Sequence, residues 1–302
     1  MSAVEISSVT KTFGDVTAVD NLSLTVPDGA VYGFIGPNGS GKSTTMRMIA
    51  NIFYPDSGTI QVFGKARSGT RSADIGYLPE ERGVYRKMKV RALLEFYGEL
   101  RGGRNVTAQV NSWLDRVGLA NRADDKVETL SKGMSQKVQF IATVIPEPKL
   151  LILDEPFTGL DPVSADSIRS AVIDMRKRGC TIILSTHDMG VAESLCDSIF
   201  MIFRGKKMLD GSLASIQASY GSDTIRVEVE GRAALGELPG IERINDLGQV
   251  QELRMTEGCD PQQVLHALAS RARIASFSVV KPSLHDIFVR IAGPQPEEAP
   301  VE

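Results

Sequence analysis

A glycine-rich stretch followed by a lysine and two hydroxyl residues has the composition of a polyphosphate-binding site. It fits the pattern G-x-x-x-x-G-K-[ST], in which glycines let backbone N–H groups curl around phosphate oxygens. Lys42 would reach the β- and γ-phosphates, and Ser43 would ligate Mg²⁺. The residues of this stretch that we expect to bind the nucleotide are Gly36, Pro37, Asn38, Gly39, Ser40, Gly41, Lys42, Ser43 and Thr44.

The flanking residues favour this interpretation over an ordinary glycine-rich turn before a helix. Residues 30–35 have the pattern of a buried strand, and residues 43–53 have that of an amphipathic helix. A strand, a glycine loop and a helix form the context that the motif requires, and the helix N-terminus adds partial positive charge. The sequence therefore predicts a P-loop.

Two carboxylates follow an apolar run at residues 150–153. A buried strand of this kind delivers charge at its carboxyl end, where doubly wound folds bind ligands. Asp154 would hold Mg²⁺ directly or through water, and Glu155 would take a proton from the water that attacks the γ-phosphate. The alternative is a strand that ends in a solvated Asp-Glu turn, which the P-loop upstream makes less favoured.

A second helix N-terminus follows residues 130–134, Leu-Ser-Lys-Gly-Met. Ser131 has the residue type of an N-cap, so the segment fits either an ordinary capped helix or a second helix that faces phosphate.

With this segment the sequence resembles the ATP-binding subunits of ABC transporters, whose signature is LSGGQ. The resemblance covers residues 4–212. It implies that two subunits bind two ATP molecules head to tail, and that Ser131 and Gly133 of one subunit contact the γ-phosphate held by the other. Lys132 and Met134 depart from the family pattern, but the serine and the glycine that face phosphate are kept.

The remaining family elements occur in the same order along this chain. The resemblance implies that Phe13 stacks on adenine, that Asp161 lies in the loop that crosses the dimer interface, and that His187 contacts the γ-phosphate. Glu80 stands where the family usually has glutamine. A carboxylate there can ligate Mg²⁺, but it also adds repulsion near Asp154, Glu155 and phosphate, so slower hydrolysis is one expected consequence.

One subset of the family matches more closely. Residues 76–83 and 131–134 resemble segments of bacterial ATPases that pair with ABC-2-type permeases, among them sodium- and drug-exporter-like systems. Residues 281–288 resemble the end of an accessory domain that this subset carries. The resemblance implies an ATPase that energises an export permease, with ATP and Mg²⁺ as cofactors and a homodimer or a paired subunit as the working form.

In this family the permease inserts a short cytoplasmic helix near the segment that follows Glu80. Residues 81–88 mix apolar and charged side chains, as a docking groove requires. The expected apolar anchors are Val84, Tyr85 and Met88, and the expected charged rim comprises Arg82, Arg86 and Lys87. The alternative is that Tyr85 and Met88 pack inside the core.

The order of the strand and helix patterns that must position these residues predicts an α/β fold. We expect a P-loop NTPase core of the ABC type over residues 1–212, with an N-terminal β-subdomain and an inserted helical subdomain at about 88–146. Strand and helix patterns after residue 212 predict a small α+β domain over 213–292. Residues 293–302 have the composition of a disordered acidic tail.

The bulk composition restricts partners and location. The net charge is −3, which provides no basic footprint for a nucleic-acid partner. The three cysteines are widely spaced and suit a reducing compartment. No apolar run approaches the roughly 18 residues of a transmembrane helix, and the N-terminus has no signal-peptide core. We therefore expect a cytoplasmic protein, peripheral on the inner face of the membrane, whose permease subunits are other chains.

Two other functions remain open at this point. One is a soluble ABC ATPase that acts on nucleic acid or in translation, although the chain has one ATPase unit and no long coiled coil. The other is a nucleotide-dependent regulator. A permease gene beside this one would favour transport, whereas salt-sensitive binding to DNA or RNA would favour the first alternative.

Overall fold

The chain divides into two units, residues 1–212 and residues 213–302. The computed structural model describes residues 2–66, 74–81, 83, 85–100, 105–220, 223–229, 238–246, 248, 250–256 and 258–293.

The first unit contains ten strands and six α-helices in its described part. In chain order they are β1 (Ser2–Phe13), β2 (Val16–Pro27), β3 (Val31–Ile35), α1 (Lys42–Ile49), β4 (Ser57–Val62), β5 (Lys65–Ala66), β6 (Ile75–Leu78), α2 (Val90–Leu100), α3 (Val106–Arg116), α4 (Lys132–Val144), β7 (Leu150–Asp154), α5 (Pro162–Lys177), β8 (Thr181–Thr186), α6 (Met189–Leu195), β9 (Ser198–Phe203) and β10 (Lys206–Ser212).

A six-stranded sheet with the order β10-β9-β3-β8-β7-β6 positions the predicted motifs. All neighbours except β10 and β9 run parallel. Every residue of β3, β7 and β8 is buried, which explains their nearly continuous apolar sequences. Because the strands are parallel, their carboxyl ends meet at one edge, and the P-loop and the acidic pair lie at that edge.

A smaller antiparallel sheet, with the order β2-β1-β4-β5, forms the N-terminal β-subdomain. Its apolar side chains and those of α1 belong to one core cluster with the central sheet, which includes Val4, Leu22, Met46, Ile49 and Phe200. The P-loop helix is therefore packed between two sheets.

Helices α2, α3 and α4 form the inserted helical subdomain and contact one another. The buried residues of α2 include Leu93 and Leu94, and Gly98 lies so close to α3 that a Cβ there would come within 2.5 Å of a Val106 methyl group. Trp113 on α3 packs edge to face against Phe140 on α4, with ring centroids 6.0 Å apart.

The second unit is an α+β domain. Its described elements are α7 (Leu213–Ser219), β11 (Thr224–Val229), β12 (Ile241–Asp246), β13 (Val250–Met255), α8 (Pro261–Ala269), β14 (Ile274–Val280) and α9 (Leu284–Ala292). The strands form an antiparallel sheet with the order β12-β13-β11-β14. Side chains of α8 contribute to its apolar core, and a reciprocal capping box of Ser283 and Asp286 begins α9.

Asp223 ties the start of β11 to α9. Both of its carboxylate oxygens accept a hydrogen bond of 3.0 Å from the Arg290 guanidinium. Burial raises the pKa of Asp223, but the hydrogen bonds and charge of Arg290 outweigh it, so the pKa lies below its usual range.

The structure confirms the predicted fold class and differs in some element boundaries. The P-loop helix ends at Ile49 rather than Phe53, because Asn51 has a φ of 60° and leaves the helical region. Strands β5, β6, β10 and β12 and helix α7 were not predicted from the sequence pattern. Residues 294–302 of the predicted tail lie outside the described residues. No helix of the described part is long and apolar enough to span a bilayer.

Candidate active site

The P-loop conformation can be formed only with glycine at two positions. Gly36 follows β3 with a φ of 149°, and a Cβ there would lie 2.2 Å from the Ile202 carbonyl oxygen. Gly41 precedes α1 with a φ of 108°, and a Cβ there would lie 2.4 Å from the Ala18 carbonyl oxygen. These close approaches leave no space for a side chain, so the loop has a fixed path into the helix.

Lys42 is the first residue of α1, and its side chain is buried against the loop. Its Nζ donates hydrogen bonds to the carbonyl oxygens of Gly36 at 2.7 Å and Pro37 at 3.0 Å. Burial lowers the pKa of Lys42, and the negative charges of three nearby acidic residues oppose that shift. In order of decreasing effect, these residues are Glu155, Asp154 and Glu80.

The other P-loop residues lie as follows. Asn38 and Gly39 are exposed, whereas Pro37 and Thr44 are half-buried. Ser40 is buried, and its Oγ has no hydrogen-bond partner among the described residues. A buried hydroxyl without a partner is costly unless a ligand or water supplies one.

Asp154 is almost completely buried at the end of β7 and accepts hydrogen bonds from three hydroxyl groups. Its Oδ1 accepts from Ser43 Oγ at 3.0 Å and from Ser185 Oγ at 2.7 Å, while its Oδ2 accepts from Tyr77 Oη at 3.3 Å. Burial raises the pKa of Tyr77 to about 12, so its hydroxyl remains a donor at neutral pH. The structure thus brings Ser43 and Asp154 together.

Sequence reasoning did not identify Ser185 and Tyr77. Tyr77 lies on β6 and Ser185 on β8, the two strands that flank β7. The order of strands in a sheet is not readable from one sequence. The available signal was the position of Ser185 two residues before His187.

Glu155 has an unusual backbone conformation, and it lines a cleft at the carboxyl edge of the central sheet. Its φ is 50°, in the left-handed region, and its N–H donates to Ser185 Oγ at 2.9 Å. Its Oε2 accepts from Thr158 Oγ1 at 3.1 Å. Its Oε1 lies 3.0 Å from His187 Nδ1, outside hydrogen-bond geometry, and is a buried acceptor without a donor among the described residues.

Glu80 follows β6 and is exposed. It lines the same cleft as Glu155, together with Glu81, Lys132, Gln136 and Thr158. The predicted crowding of negative charge therefore has a structural basis, because the two carboxylates face one cleft. Lys132 places a positive charge in the same cleft, and a Cβ on Gly159 would come within 2.3 Å of its Nζ.

Ser131, Gly133 and Asp161 lie near one another where α4 and α5 begin. Ser131 caps α4, since its Oγ accepts from the Met134 N–H at 3.2 Å. Asp161 caps α5 in the same way, and a Cβ at Gly133 would lie 3.2 Å from its carboxylate. Within the described residues, no hydrogen bond or ion pair joins this group to the P-loop of the same chain.

Phe13 lies at the exposed turn between β1 and β2. Its ring is 44% exposed and packs edge to face against Phe53, with Lys11 Nζ 5.4 Å from its centroid. In the described part of the chain no ring contact or hydrogen bond joins Phe13 to the P-loop, so its predicted contact with adenine stays a prediction.

Comparisons with known proteins identify the family of this chain. A family model described as "ABC transporter" matches residues 19–158, and one described as "ATP-binding protein DrrA1-3-like, C-terminal domain" matches residues 211–292. The chain is 38% identical to the uncharacterized ABC transporter ATP-binding protein YhaQ of Bacillus subtilis (strain 168), over 95% of this chain and 98% of that protein. It is 35% identical to the Nod factor export ATP-binding protein I of Rhizobium sp. (strain N33), over 98% of this chain and 99% of that protein.

A solved structure, an ATP-binding subunit of an ABC transporter, superposes with a TM-score of 0.67 and 27% identity. The match covers 72% of this chain and 93% of that one. The P-loop edge described above and the extent of these matches lead to one assignment: the chain belongs to the ABC transporter family and is one of its ATP-hydrolysing, ATP-binding subunits.

Proposed function

We propose that this subunit binds ATP together with Mg²⁺, hydrolyses it as one member of a pair of subunits, and energises an export-type ABC-2 permease. The observation that carries the proposal is the meeting of Lys42, Asp154 and Glu155 at one edge of the central sheet. Two orphaned buried atoms, Ser40 Oγ and Glu155 Oε1, support it further. A phosphate oxygen and a water molecule are the partners that these two atoms lack.

The oxygen atoms around Asp154 suit Mg²⁺, which prefers hard oxygen ligands. Ser43 and Asp154 would hold the ion, with Glu80 reaching it from the neighbouring strand. Within the described residues, no group of three or more His, Cys, Asp or Glu side chains is arranged to hold a metal. Mg²⁺ at such sites is held by one or two carboxylates and by substrate phosphates, so a larger protein cluster is not required.

Glu155 is the residue that we propose as general base. Its Oε1 is a buried acceptor without a donor, so it can take a proton from a water molecule placed against it. His187 is 54% exposed beside this atom, and its ring can reach a phosphate group on the solvent side.

The test is Glu155→Gln, which keeps the size of the side chain and removes the base. We expect ATP to bind with unchanged affinity and hydrolysis to fall by about 10²-fold or more. Glu99→Gln, an exposed position on α2, is the matched control and should leave turnover unchanged. Turnover that survives Glu155→Gln would reject the role of Glu155.

The absence of any hydrogen bond or ion pair between Ser131, Gly133 or Asp161 and the P-loop of the same chain, within the described residues, supports the proposed pairing of subunits. In the proposed pair, Ser131, Gly133 and Asp161 of one copy face the nucleotide that the P-loop of the other copy binds. Glu155→Gln should therefore accumulate an ATP-bound dimer, measured by light scattering after size exclusion. The bulky substitution Ser131→Arg, combined with Glu155→Gln, should prevent that dimer, whereas a dimer that persists would contradict the arrangement.

An exposed aromatic patch, defined here as Tyr85, Phe96 and Tyr97, supports the permease contact. Their ring centroids are 5.7–6.5 Å apart. Tyr85 is 58% exposed and Phe96 is 40% exposed, so Tyr85 is not the core residue that the alternative interpretation required. Met88 is half-buried, and Arg82 and Val84 lie outside the described residues.

The patch has the composition of a docking site for a short amphipathic helix. Exposed aromatic rings are typical anchors of interfaces, and exposed Arg86 and Lys87 supply a charged rim. The partner that we propose is a cytoplasmic helix of a permease, which would hold this subunit at the inner face of the membrane. Similarity to a Nod factor export protein over nearly the whole chain supports the export direction.

The test uses Tyr85→Ala and Phe96→Ala in cells of the source organism, from which the membrane fraction and any bound permease are isolated. Each change should cost about 2 kcal/mol of binding and remove the subunit from the membrane fraction, with ATP binding retained. Tyr54→Ala is the matched control, because Tyr54 is 57% exposed and lies outside the patch. Unchanged copurification of the patch variants with the permease would contradict the docking site.

A further inference from the structure

Strand β8 and the residue that follows it bring two side chains to the acidic pair. In the parallel ladder, Asp154 of β7 lies opposite Ser185 of β8. His187 follows two residues later and reaches Glu155 Oε1. Because successive side chains of an extended chain alternate, residues 185 and 187 can approach the same pair of carboxylates.

The Ser185 hydroxyl makes two contacts at once. It donates to Asp154 Oδ1 at 2.7 Å and accepts the Glu155 N–H at 2.9 Å. Ser185 is completely buried, so no water competes for either bond. A serine hydroxyl has one donor, and here that donor is used on the carboxylate, which leaves a lone pair for the amide.

Each contact fixes a different part of the site. Ser43 Oγ donates to the same Oδ1 atom at 3.0 Å, so Ser185 holds that oxygen beside the P-loop helix. Glu155 occupies the left-handed region, which costs a non-glycine residue roughly 1–2 kcal/mol. The hydrogen bond that the Glu155 N–H donates to Ser185 Oγ offsets part of that cost. It also sets the direction in which the Glu155 side chain leaves the strand.

We infer that Ser185 is a positioning residue for ATP hydrolysis, because one hydroxyl orients the Asp154 carboxylate and the Glu155 backbone together. The inference rests on the proposed roles of Asp154 and Glu155. Its consequence is that removal of this hydroxyl disturbs metal-dependent binding and turnover, while contacts between the P-loop and the nucleotide remain.

The experiment compares Ser185→Ala, Ser185→Cys and Ser185→Thr in the full chain. Cysteine keeps the volume and is a weak donor, whereas threonine keeps the hydroxyl. For alanine and cysteine we expect kcat to fall about tenfold or more, as loss of a hydrogen bond to a charged group implies. Threonine should restore most of the activity. Ser194→Ala, at an exposed position on α6, is the matched control.

The second readout is binding of a fluorescent ATP analogue with and without Mg²⁺. The alanine and cysteine variants should need several-fold more Mg²⁺ for half-maximal binding and should bind the metal-free nucleotide as the parent chain does. An unchanged Mg²⁺ requirement and kcat would overturn the inference. So would an equal loss of metal-free binding in all three variants, because that outcome indicates a merely structural role.

Glu155→Gln, measured beside these variants, distinguishes failure of the inference about Ser185 from failure of the proposed function. If Glu155→Gln loses turnover while the Ser185 variants behave like the parent chain, only the inference about Ser185 fails. If Glu155→Gln keeps its turnover, the proposed function itself fails.

Discussion

Replacement of Gly41 by alanine tests whether the path of the P-loop depends on the absence of a side chain. Gly41 has a φ of 108°, and a Cβ there would lie 2.4 Å from the Ala18 carbonyl oxygen and 3.2 Å from an Ile202 methyl carbon. Gly39 provides a matched control in the same loop. Its φ is 73°, and nothing lies within 4 Å of a Cβ at that position.

The expected magnitudes follow from these two environments. A left-handed alanine costs about 1–2 kcal/mol, and both variants carry that cost. Only Gly41→Ala also has to displace the backbone of β2, and overpacking of this kind costs typically 1–3 kcal/mol more. For a unit of this size a difference of about 2 kcal/mol lowers the Tm by roughly 4–8 °C.

Thermal unfolding of the full chain without nucleotide provides the measurement. The transition of the first unit is identified as the one that ATP shifts upward, since a ligand stabilises the state that binds it. We expect Gly41→Ala to melt at a lower temperature than Gly39→Ala and to lose ATP binding. Equal Tm values for the two variants would refute the reasoning, because the backbone contact with Ala18 would then carry no energetic weight.

Three further outcomes follow from other parts of the structure. Glu80→Gln should lower the ATPase rate and raise the Mg²⁺ requirement if Glu80 is a ligand, and a faster rate would instead show that repulsion with Glu155 dominates. Asp223→Asn should speed hydrogen exchange in residues 223–293 by removing hydrogen bonds worth about 1.5–3 kcal/mol. The pKa of Asp223 is lowered in the folded state, so the difference in exchange rate between the variant and the parent chain should be complete above the pKa that Asp223 has in the unfolded chain. It should vanish as the pH falls through the pKa of the folded state. A difference that does not depend on pH would contradict the stabilising role of the Asp223 carboxylate. A chain that ends at Ser212 should still bind ATP, because the P-loop and acidic pair lie in the first unit, and loss of binding by a folded truncation would show otherwise.

The sequence was most informative where local chemistry determines structure. Helix α5 begins where its sequence has the signals of a helix start, since Asp161 caps it and Pro162 occupies its first position. The run at 150–153 is buried as a central strand, and the acidic pair lies at its carboxyl end, because apolar continuity of this kind is typical of parallel sheets.

Features that depend on which strands are neighbours could not be predicted. Tyr77 and Ser185 reach Asp154 only because β6 and β8 flank β7, and one sequence does not state that order. Strand β12 alternates too weakly between apolar and polar residues to be recognised by periodicity. The exposure of Phe96 could not be predicted either, because an apolar residue on an amphipathic helix is ordinarily expected to lie in the core.

The position of Trp113 gives the protein a built-in optical probe. It is the one tryptophan of the sequence, and it lies buried in the helical subdomain with Arg116 5.0 Å from its ring. Its partner Phe140 lies on α4, the helix that Ser131 caps. With excitation at wavelengths that tyrosine does not absorb, emission therefore comes from a single indole. A change in its intensity on addition of nucleotide would report on the surroundings of Trp113, where α3 meets α4, in stopped-flow experiments without any added label.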